Sequence, residues 1–528
     1  MYPRLHSPFV CSAPSASASV WRRGVVAAVL ALAGGSSALT AQPNPAEQAL
    51  SARPLVLKPG ERQLFLDDFL LADIAGLRRV THSPVKYAGN PVIRPDIPTD
   101  GVAIQTRDAP VWDEKEQVWK IWYIRFGDDG GGAGGSGYAR SKDGVVWEKP
   151  SLGLVEAGGN RANNLVTVEG SPEAFVQHVV LDPNAPADRR FKGMIGPNGR
   201  QPLVSADGFT FRRLSVEPIP SSDESHLNWD PVTRQWIFTV KHGGPFGRSV
   251  YLSLSSDFER WTAPVLIYHA DWRDQELAAE YLQRIAGDAR YWRPTINVPR
   301  EYNADIYNMA VFRYEGVYIG LPNYFEASGR IPLPRGNQDG INSPKLAVSR
   351  DLRSWVRVGD RQHFIPISPM GKDVLDTGQI MASSHPVRRG EELWFYYSGI
   401  DVRHRPNKAR PIDEYRGAIF LAKLRVDGFV SLRGETEEGF LDTRPLVLDG
   451  SRLYVNATVK GSLAVEIMEP DGRTVLSGWD RGSVEPVAGD HTRAEIRWRG
   501  RELSELAGKR VRVRFHLRDA DLYSFWLE

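Results

Sequence analysis

The 528-residue chain is predicted to be all-β, a five-bladed β-propeller followed by a C-terminal β-sandwich. Three observations predict this. An aromatic-rich strand recurs as Val118-Trp119-Lys120-Ile121-Trp122-Tyr123, Gln235-Trp236-Ile237-Phe238, Gly316-Val317-Tyr318-Ile319 and Glu392-Leu393-Trp394-Phe395-Tyr396-Tyr397. A Ser-x-Asp hairpin recurs at Ser141 to Trp147, Ser205 to Phe211, Ser255 to Trp261 and Ser349 to Trp355, and more weakly at Arg425 to Phe429. Aromatic and β-branched residues favour strands, and Asp-Gly supplies the positive φ of a tight turn. Repeated four-stranded units of this size, none able to bury both faces alone, describe propeller blades. From about Leu446 the pattern becomes strict apolar/polar alternation, as in Leu463-Ala464-Val465-Glu466-Ile467 and Val511-Arg512-Val513-Arg514-Phe515, which fits an antiparallel sandwich. The competing expectation is a generic all-β enzyme whose Asp turns coincide by chance.

Arg22-Arg23, the apolar run Val25 to Ala33 and the small residues up to Ala38 and Ala41 describe a secretory signal peptide over residues 1–41. The run is too short to span a bilayer. Export to the periplasm or the extracellular space follows, with no membrane attachment after signal removal. Cys11, the one cysteine, would leave with the signal, so the mature chain would hold no disulfide. Residues 42–60 read as a Pro/Ala-rich linker.

The propeller is expected over 61–440 and the sandwich over 441–528. Glu61 to Leu71 is an apolar opening segment suited to an outer strand that closes the ring against the last blade. Blade one covers about 101–150, and blades two to five start near Asn164, Asp223, Asp305 and Asp376. Asp274 to Ala286 has helical spacing (Leu277, Ala278, Tyr281, Leu282, Ile285) and forms an inserted amphipathic helix. The Gly-rich stretch Asp128 to Gly137 is expected to be a rim loop; no Gly-Lys-Ser/Thr follows that would make it a phosphate cradle. The C-terminal sandwich is assigned to packing rather than to carbohydrate binding. Lys+Arg and Asp+Glu nearly cancel at +2, and no dense basic block suggests a nucleic-acid surface. Oligomeric state is not legible.

In a propeller the innermost strands converge on one central depression, so the residues that lead into them meet in space. By blade these are Arg107 and Asp108; Gln177 and His178; Asp223, Glu224 and His226; Asp305 and Tyr307; Asp376 and Gln379. Carboxylates flanked by Arg, His, Tyr and Gln suit a polyhydroxylated ligand. Glycoside hydrolysis needs two carboxyl groups, one to protonate the leaving oxygen and one to attack or activate water. Asp108 and Glu224 are the preferred pair, because alternate blades face each other. Glu224, with the longer reach, is expected to be the acid, its pKa raised by like charge. Asp305 or Asp376 is expected to be the third acid, tuning pKa or holding a sugar hydroxyl. Arg107, His178, His226, Tyr307, Asp376 and Gln379 are the expected substrate contacts. The remaining repeat aspartates read as turn-formers. No His/carboxylate spacing supports a catalytic metal, and no cofactor is expected; the central axis leaves room for a structural calcium ion.

The Ser-x-Asp-Gly hairpins, together with acids leading blades one and three, resemble the glycoside hydrolase propellers of families 32 and 43. Leu64-Phe65-Leu66-Asp67-Asp68, Ser141 to Pro150 and Asp521-Leu522-Tyr523-Ser524-Phe525 resemble a group of secreted bacterial family 32-like proteins over most of 61–528. The resemblance implies a carbohydrate substrate, with Asp108 matching the blade-one acid and Glu224 the blade-three acid. The family 32 motif Trp-Met-Asn-Asp-Pro-Asn-Gly is absent around Asp108, and Gln177 and His178 stand where those families place a second acid. An exported glycoside hydrolase is the first expectation, and a non-catalytic sugar-binding propeller is the second. A sialidase is the third, set back by the want of an arginine cluster, since Arg107 is the one arginine among the leading residues.

Overall fold

A computed structural model of the chain describes residues 55–127, 132–292, 302–330, 338–401 and 417–528. The expected signal peptide and all but the end of the linker lie outside the described residues. The described chain is mostly β and propeller-like. Successive antiparallel groups follow the order of the repeats. In the first, Ala103–Gln105 and Val111–Asp113 both pair with Val118–Phe126, which pairs with Gly132–Ser141. The second runs Val176–Leu181, Phe191–Ile195, Gly199–Ser205 and Thr210–Arg213. The third is Ser225–Asp230, Gln235–Gly244, Gly247–Ser255 and Val265–Tyr268. The fourth begins with Ala304–Tyr314 and Val317–Arg330, on which Gln338–Pro344 and Ala347–Ser349 pair, and ends at Trp355–Arg357. The fifth sets Gln379–Ala382 and Val387–Arg389 on Glu392–Ile400, followed by Gly417–Arg425.

The hairpins fold as their residue types require. Asp143 Oδ1 accepts the backbone N–H groups of Val145 and Val146, and Ser141 Oγ accepts that of Gly144. The same pattern recurs at Ser205/Asp207 and Ser255/Asp257, and its aspartate half at Ser349/Asp351. The residue after the aspartate is left-handed, Gly144 at φ 82° and Gly208 at 83°. Phe258 and Leu352 take the same conformation at 67° and 65°, where a Cβ is disfavoured. Their burial and the cap from the following tryptophan, whose Nε1 donates to Phe258 O and to Leu352 O, hold them there.

Two expectations change. The strand that pairs with the last group is not drawn from Glu61 to Leu71. It is Val85–Lys86, continued by Tyr87, Val92 and Ile93 on Leu421 and Ile419. Gln63–Leu64 and Leu71–Ala75 instead join the C-terminal strands, on Arg510–Leu527 and Gly439–Thr443. Leu77–Thr81 pairs with Val430–Gly434 in the same sheet. The long strands Leu453–Met468 and Arg510–Leu527 form its spine, so chain from both sides of the expected boundary at 440 contributes. The described part of the Gly-rich stretch is likewise strand rather than loop: Ser136 pairs with Ile124 and Gly137 with Tyr123. A Cβ at Gly137 would lie 2.4 Å from the Tyr123 ring, which explains a glycine there.

The inserted helix spans Trp272–Gly287, with Asp271 and Asp274 closing a capping box. It buries the expected Ala278, Tyr281, Leu282 and Ile285. No helix among the described residues is long and apolar enough to cross a membrane. A cavity of about 920 Å³ is lined by the trailing ends of the first strands of all these groups: Val111 and Trp112, Val180 and Leu181, Asn228 and Trp229, Phe312 and Arg313, and Pro386 and Val387. Those strands therefore converge, which gathers their leading ends as well.

Candidate functional site

The leading ends carry a buried charged network. Arg107 reaches Glu224 in a bidentate fork, Nε to Oε2 at 2.8 Å and Nη2 to Oε1 at 2.7 Å. Planar guanidinium and carboxylate match in this geometry, which makes it a strong pairing. Asn308 Nδ2 donates to Glu224 Oε2 at 3.1 Å, so the first, third and fourth groups meet on one carboxylate. Burial pushes Glu224 up, but the charge and hydrogen bonds of Arg107, with Lys241 and Asn308, prevail and hold it down at about 2. The expectation of a raised, proton-donating Glu224 is corrected here. Its neighbour is an arginine rather than a second acid, so it stays ionised at neutral pH.

Asp108 has the opposite surroundings. A bulge in Val176–Leu181 turns two successive amides, His178 N–H and Val179 N–H, onto its oxygens at 2.6 and 3.1 Å. His178 sits at φ 59°, the left-handed conformation that lets adjacent amides converge on an anion. Asp108 is 2% exposed, and burial pushes its carboxyl up to about 7 against those donors. Arg107 therefore pairs with Glu224 and not with Asp108.

The histidines are neutral. His178 Nε2 lies 2.8 Å from Ser225 Oγ, and His226 lies 6.0 Å from it, ring to ring. Burial, then the Arg107 charge, pulls His226 down to about 3 against the Glu224 charge; burial with Arg200 and His226 pulls His178 well below its ordinary value. Asp305 is bound by Arg248, Nε to Oδ2 at 2.8 Å. Tyr307 lies beneath Lys241 Nζ at 4.1 Å and the Arg248 guanidinium at 5.0 Å, and its hydroxyl is pushed up by burial and by the charges of Glu224 and Asp223. Asp376 makes its contacts elsewhere, with Lys86 Nζ at 2.6 Å and Tyr397 OH at 2.9 Å. Gln379 Oε1 accepts from Asn342 Nδ2.

Sequence reasoning missed Arg200, Lys241, Arg248 and Asn308. The first three sit on second and third strands. Lys241 and Arg248 lie either side of the Pro245-Phe246 turn of one hairpin, with Gly243 and Gly244 ending its first strand, and Arg200 is the second residue of Gly199–Ser205. The arginine cluster judged wanting from leading residues alone is thus supplied by outer strands. Two adjacent glycines between basic residues were the available signal. Among the described residues no group of three His, Cys, Asp or Glu side chains is placed to hold a metal ion.

No family model matches the chain, and no curated protein matches its sequence. Among solved structures it is similar to a glycoside hydrolase, at 15% identity and TM-score 0.39 over 65% of this chain and 92% of the other. It is similar to the Bombyx mori GH32 beta-fructofuranosidase at 9% identity and TM-score 0.39, over 85% of this chain and 94% of the other. An N-acetylgalactosamine deacetylase from F. plautii, in complex with blood group B trisaccharide, matches at 12% and 0.37, over 67% and 97%. These identities and scores are too low for any residue's role to be carried across.

Proposed function

We propose that the protein is an exported glycoside hydrolase, a five-bladed propeller with a C-terminal sandwich, acting at the Asp108–Glu224 cluster. One observation carries this: two carboxyl groups from alternate strand groups, bridged in chain and space by Arg107, are held at opposite ends of the protonation scale, about 7 and about 2. Environments that push two acids apart in this way fit them for separate acid and base roles. Glu224, ionised, is the base or nucleophile, and Asp108 holds the proton. That reverses the roles expected from side-chain length. Asp305, on Arg248, is the third acid. Tyr307, His178 and His226, all uncharged at neutral pH, offer hydrogen bonds and ring faces to a sugar.

A specific observation favours a second reading, recognition without turnover. Asp108 already accepts two backbone donors, and Glu224 already holds an arginine fork. One experiment separates the two: product release by the mature protein from a broad panel of oligosaccharides, beside Glu224→Gln and Asp108→Asn. Hydrolysis predicts product from the wild type and a loss of about 10²-fold or more in both variants. Glycan binding with no product from any of the three proteins would establish the recognition module.

A further inference from the structure

The cations of this cluster do not all have anions. Arg107 is answered by Glu224, Lys241 by Asp223 at 2.8 Å, and Arg248 by Asp305 at 2.8 Å. Arg200 has no carboxylate within ion-pair distance among the described residues. Its partners are neutral acceptors, Gln177 Oε1 at 2.9 Å and the carbonyl oxygen of Asp223. Its Nε–H has no acceptor among the described residues, although the residue is 1% exposed. Asp108 is not its counter-ion, because both Asp108 oxygens are taken by backbone amides. His178 and His226 add no negative charge. A buried guanidinium is costly unless it is paired and hydrogen-bonded. Resting on the site reading above, we propose that the cluster takes an acidic glycan, whose negative substituent docks against Arg200 and completes its hydrogen bonding.

Further features agree. The guanidinium is fixed from two sides by Gln177 and Asp223, so it is oriented before any ligand arrives, which lowers the entropy lost on binding. The fork of an arginine suits a planar carboxylate, and its charge suits a sulfate ester. Burial has already pulled Arg200 down to about 10, with the carboxylates of Glu224 and Asp223 acting against burial by charge alone, since Asp223 bonds Arg200 only through its carbonyl oxygen. An arriving anion would reverse that shift. The neighbouring Lys241 and Arg248 are held by Asp223 and Asp305, and Tyr307 beneath them offers a ring face to the uncharged part of a sugar.

The test is affinity at low ionic strength, by titration calorimetry on the mature full chain, with galacturonic acid, galactose 6-sulfate and galactose as probes. At least one acidic sugar should bind about tenfold or more tightly than galactose. Arg200→Gln should erase that preference, and Arg200→Lys, which keeps the charge without the fork, should restore part of it. Preference for the uronate alone would identify a carboxylate as the docked group, and preference for the sulfate alone would identify an ester. Equal binding of all three sugars, binding of none, or a preference that survives Arg200→Gln would overturn the proposal. Should Arg200→Gln not fold, Arg200→Lys and the salt dependence of the wild type decide it, since docking on a charge must weaken as salt rises. Turnover of a neutral glycan that Glu224→Gln abolishes, with no acidic preference, would sink this inference and leave the hydrolase standing. Acid-selective binding that depends on Arg200, with no turnover of any glycan, would do the reverse.

Discussion

Asp427 and Glu224 are both buried carboxylates facing an arginine, and the groups around them are disposed in opposite ways. Asp427 sits where the last strand group meets the C-terminal sheet. It accepts from Arg62 Nη1 at 2.6 Å, Tyr314 OH at 2.7 Å, Ser524 Oγ at 2.6 Å and Asn456 Nδ2 at 3.1 Å. Both Asp427 oxygens are filled by these donors, and the Trp526 ring covers Arg62 at 4.1 Å, although Arg425 Nη2, on the far side of Asn456, is buried with no partner among the described residues. Around Glu224 the count does not close. Arg200 Nε, His178 Nδ1 and His226 Nδ1 are buried with no partner among the described residues. A saturated network specifies a fold, and leftover capacity at the convergence of several strand groups is capacity for something that arrives.

The sharpest way to break this comparison is to remove Asp427. Asp427→Ala strands the Arg62 charge beneath Trp526 and leaves the Tyr314 and Ser524 hydroxyls unanswered, while Asn456 keeps Val426 O. Breaking a buried pair from one side costs roughly 3–5 kcal/mol, and urea unfolding should show a loss of that size. A loss below about 1 kcal/mol would mean that the junction is not the fastening its geometry describes.

A smaller effect, read as a slope, belongs to Asp108. Its carboxyl titrates near 3.8 when unfolded and at about 7 when folded. Across that window the folded state keeps a proton that the unfolded state has lost. Asp108 therefore contributes stability below about pH 4 that drains away as pH rises through 7. Glu224, depressed to about 2, and His226, depressed to about 3, act the other way, their contributions draining away as pH falls. The Asp108 share is isolated by difference. The stability of Asp108→Asn relative to wild type should improve between pH 4 and 7 by on the order of 1 kcal/mol per unit. A flat difference would show that the backbone amides of His178 and Val179 outweigh burial and keep Asp108 ionised throughout.

The two regions also differ in how far they could be read from sequence. Repeat strands, hairpins and the inserted helix were legible because their signals are local: aromatic runs, Ser-x-Asp spacing, and the helical spacing of Leu277, Ala278, Tyr281, Leu282 and Ile285. Asp108, Glu224 and Arg107 were legible as leaders of first strands. The pairing of Arg107 with Glu224 across 117 residues was not, since nothing local ranks one carboxylate above another. Arg200 was missed because it lies on a third strand, whose ends reach the cluster only through hairpin length. The bulge at His178 was hidden for a related reason, since a left-handed histidine carries no composition signal. The substitution of Val85–Lys86 for Glu61 to Leu71 as the pairing partner of the last group shows the limit of hydrophobicity as a guide. The more apolar segment, with Leu64, Phe65 and Leu66 buried, went to the larger core between the last strands and the C-terminal sheet.

Asp143 and Asp427 occupy the same place in the repeat and make the smallest test the most telling. Asp143 is exposed and serves two backbone N–H groups in its own turn. Asp427, in the weak fifth copy, has exchanged that local duty for partners 29 to 365 residues away. In Asp143→Ala, water replaces the lost acceptor, so unfolding should cost only about 1 kcal/mol less than in the wild type. The turn keeps Gly144 at positive φ, and no charge is stranded. If Asp143→Ala proved as damaging as Asp427→Ala, local turn chemistry would be carrying the repeats, and the contrast between saturated junction and ordinary turn would fail. A loss several times smaller would place the decisive charge at the junction, where sequence alone marked only a degenerate repeat.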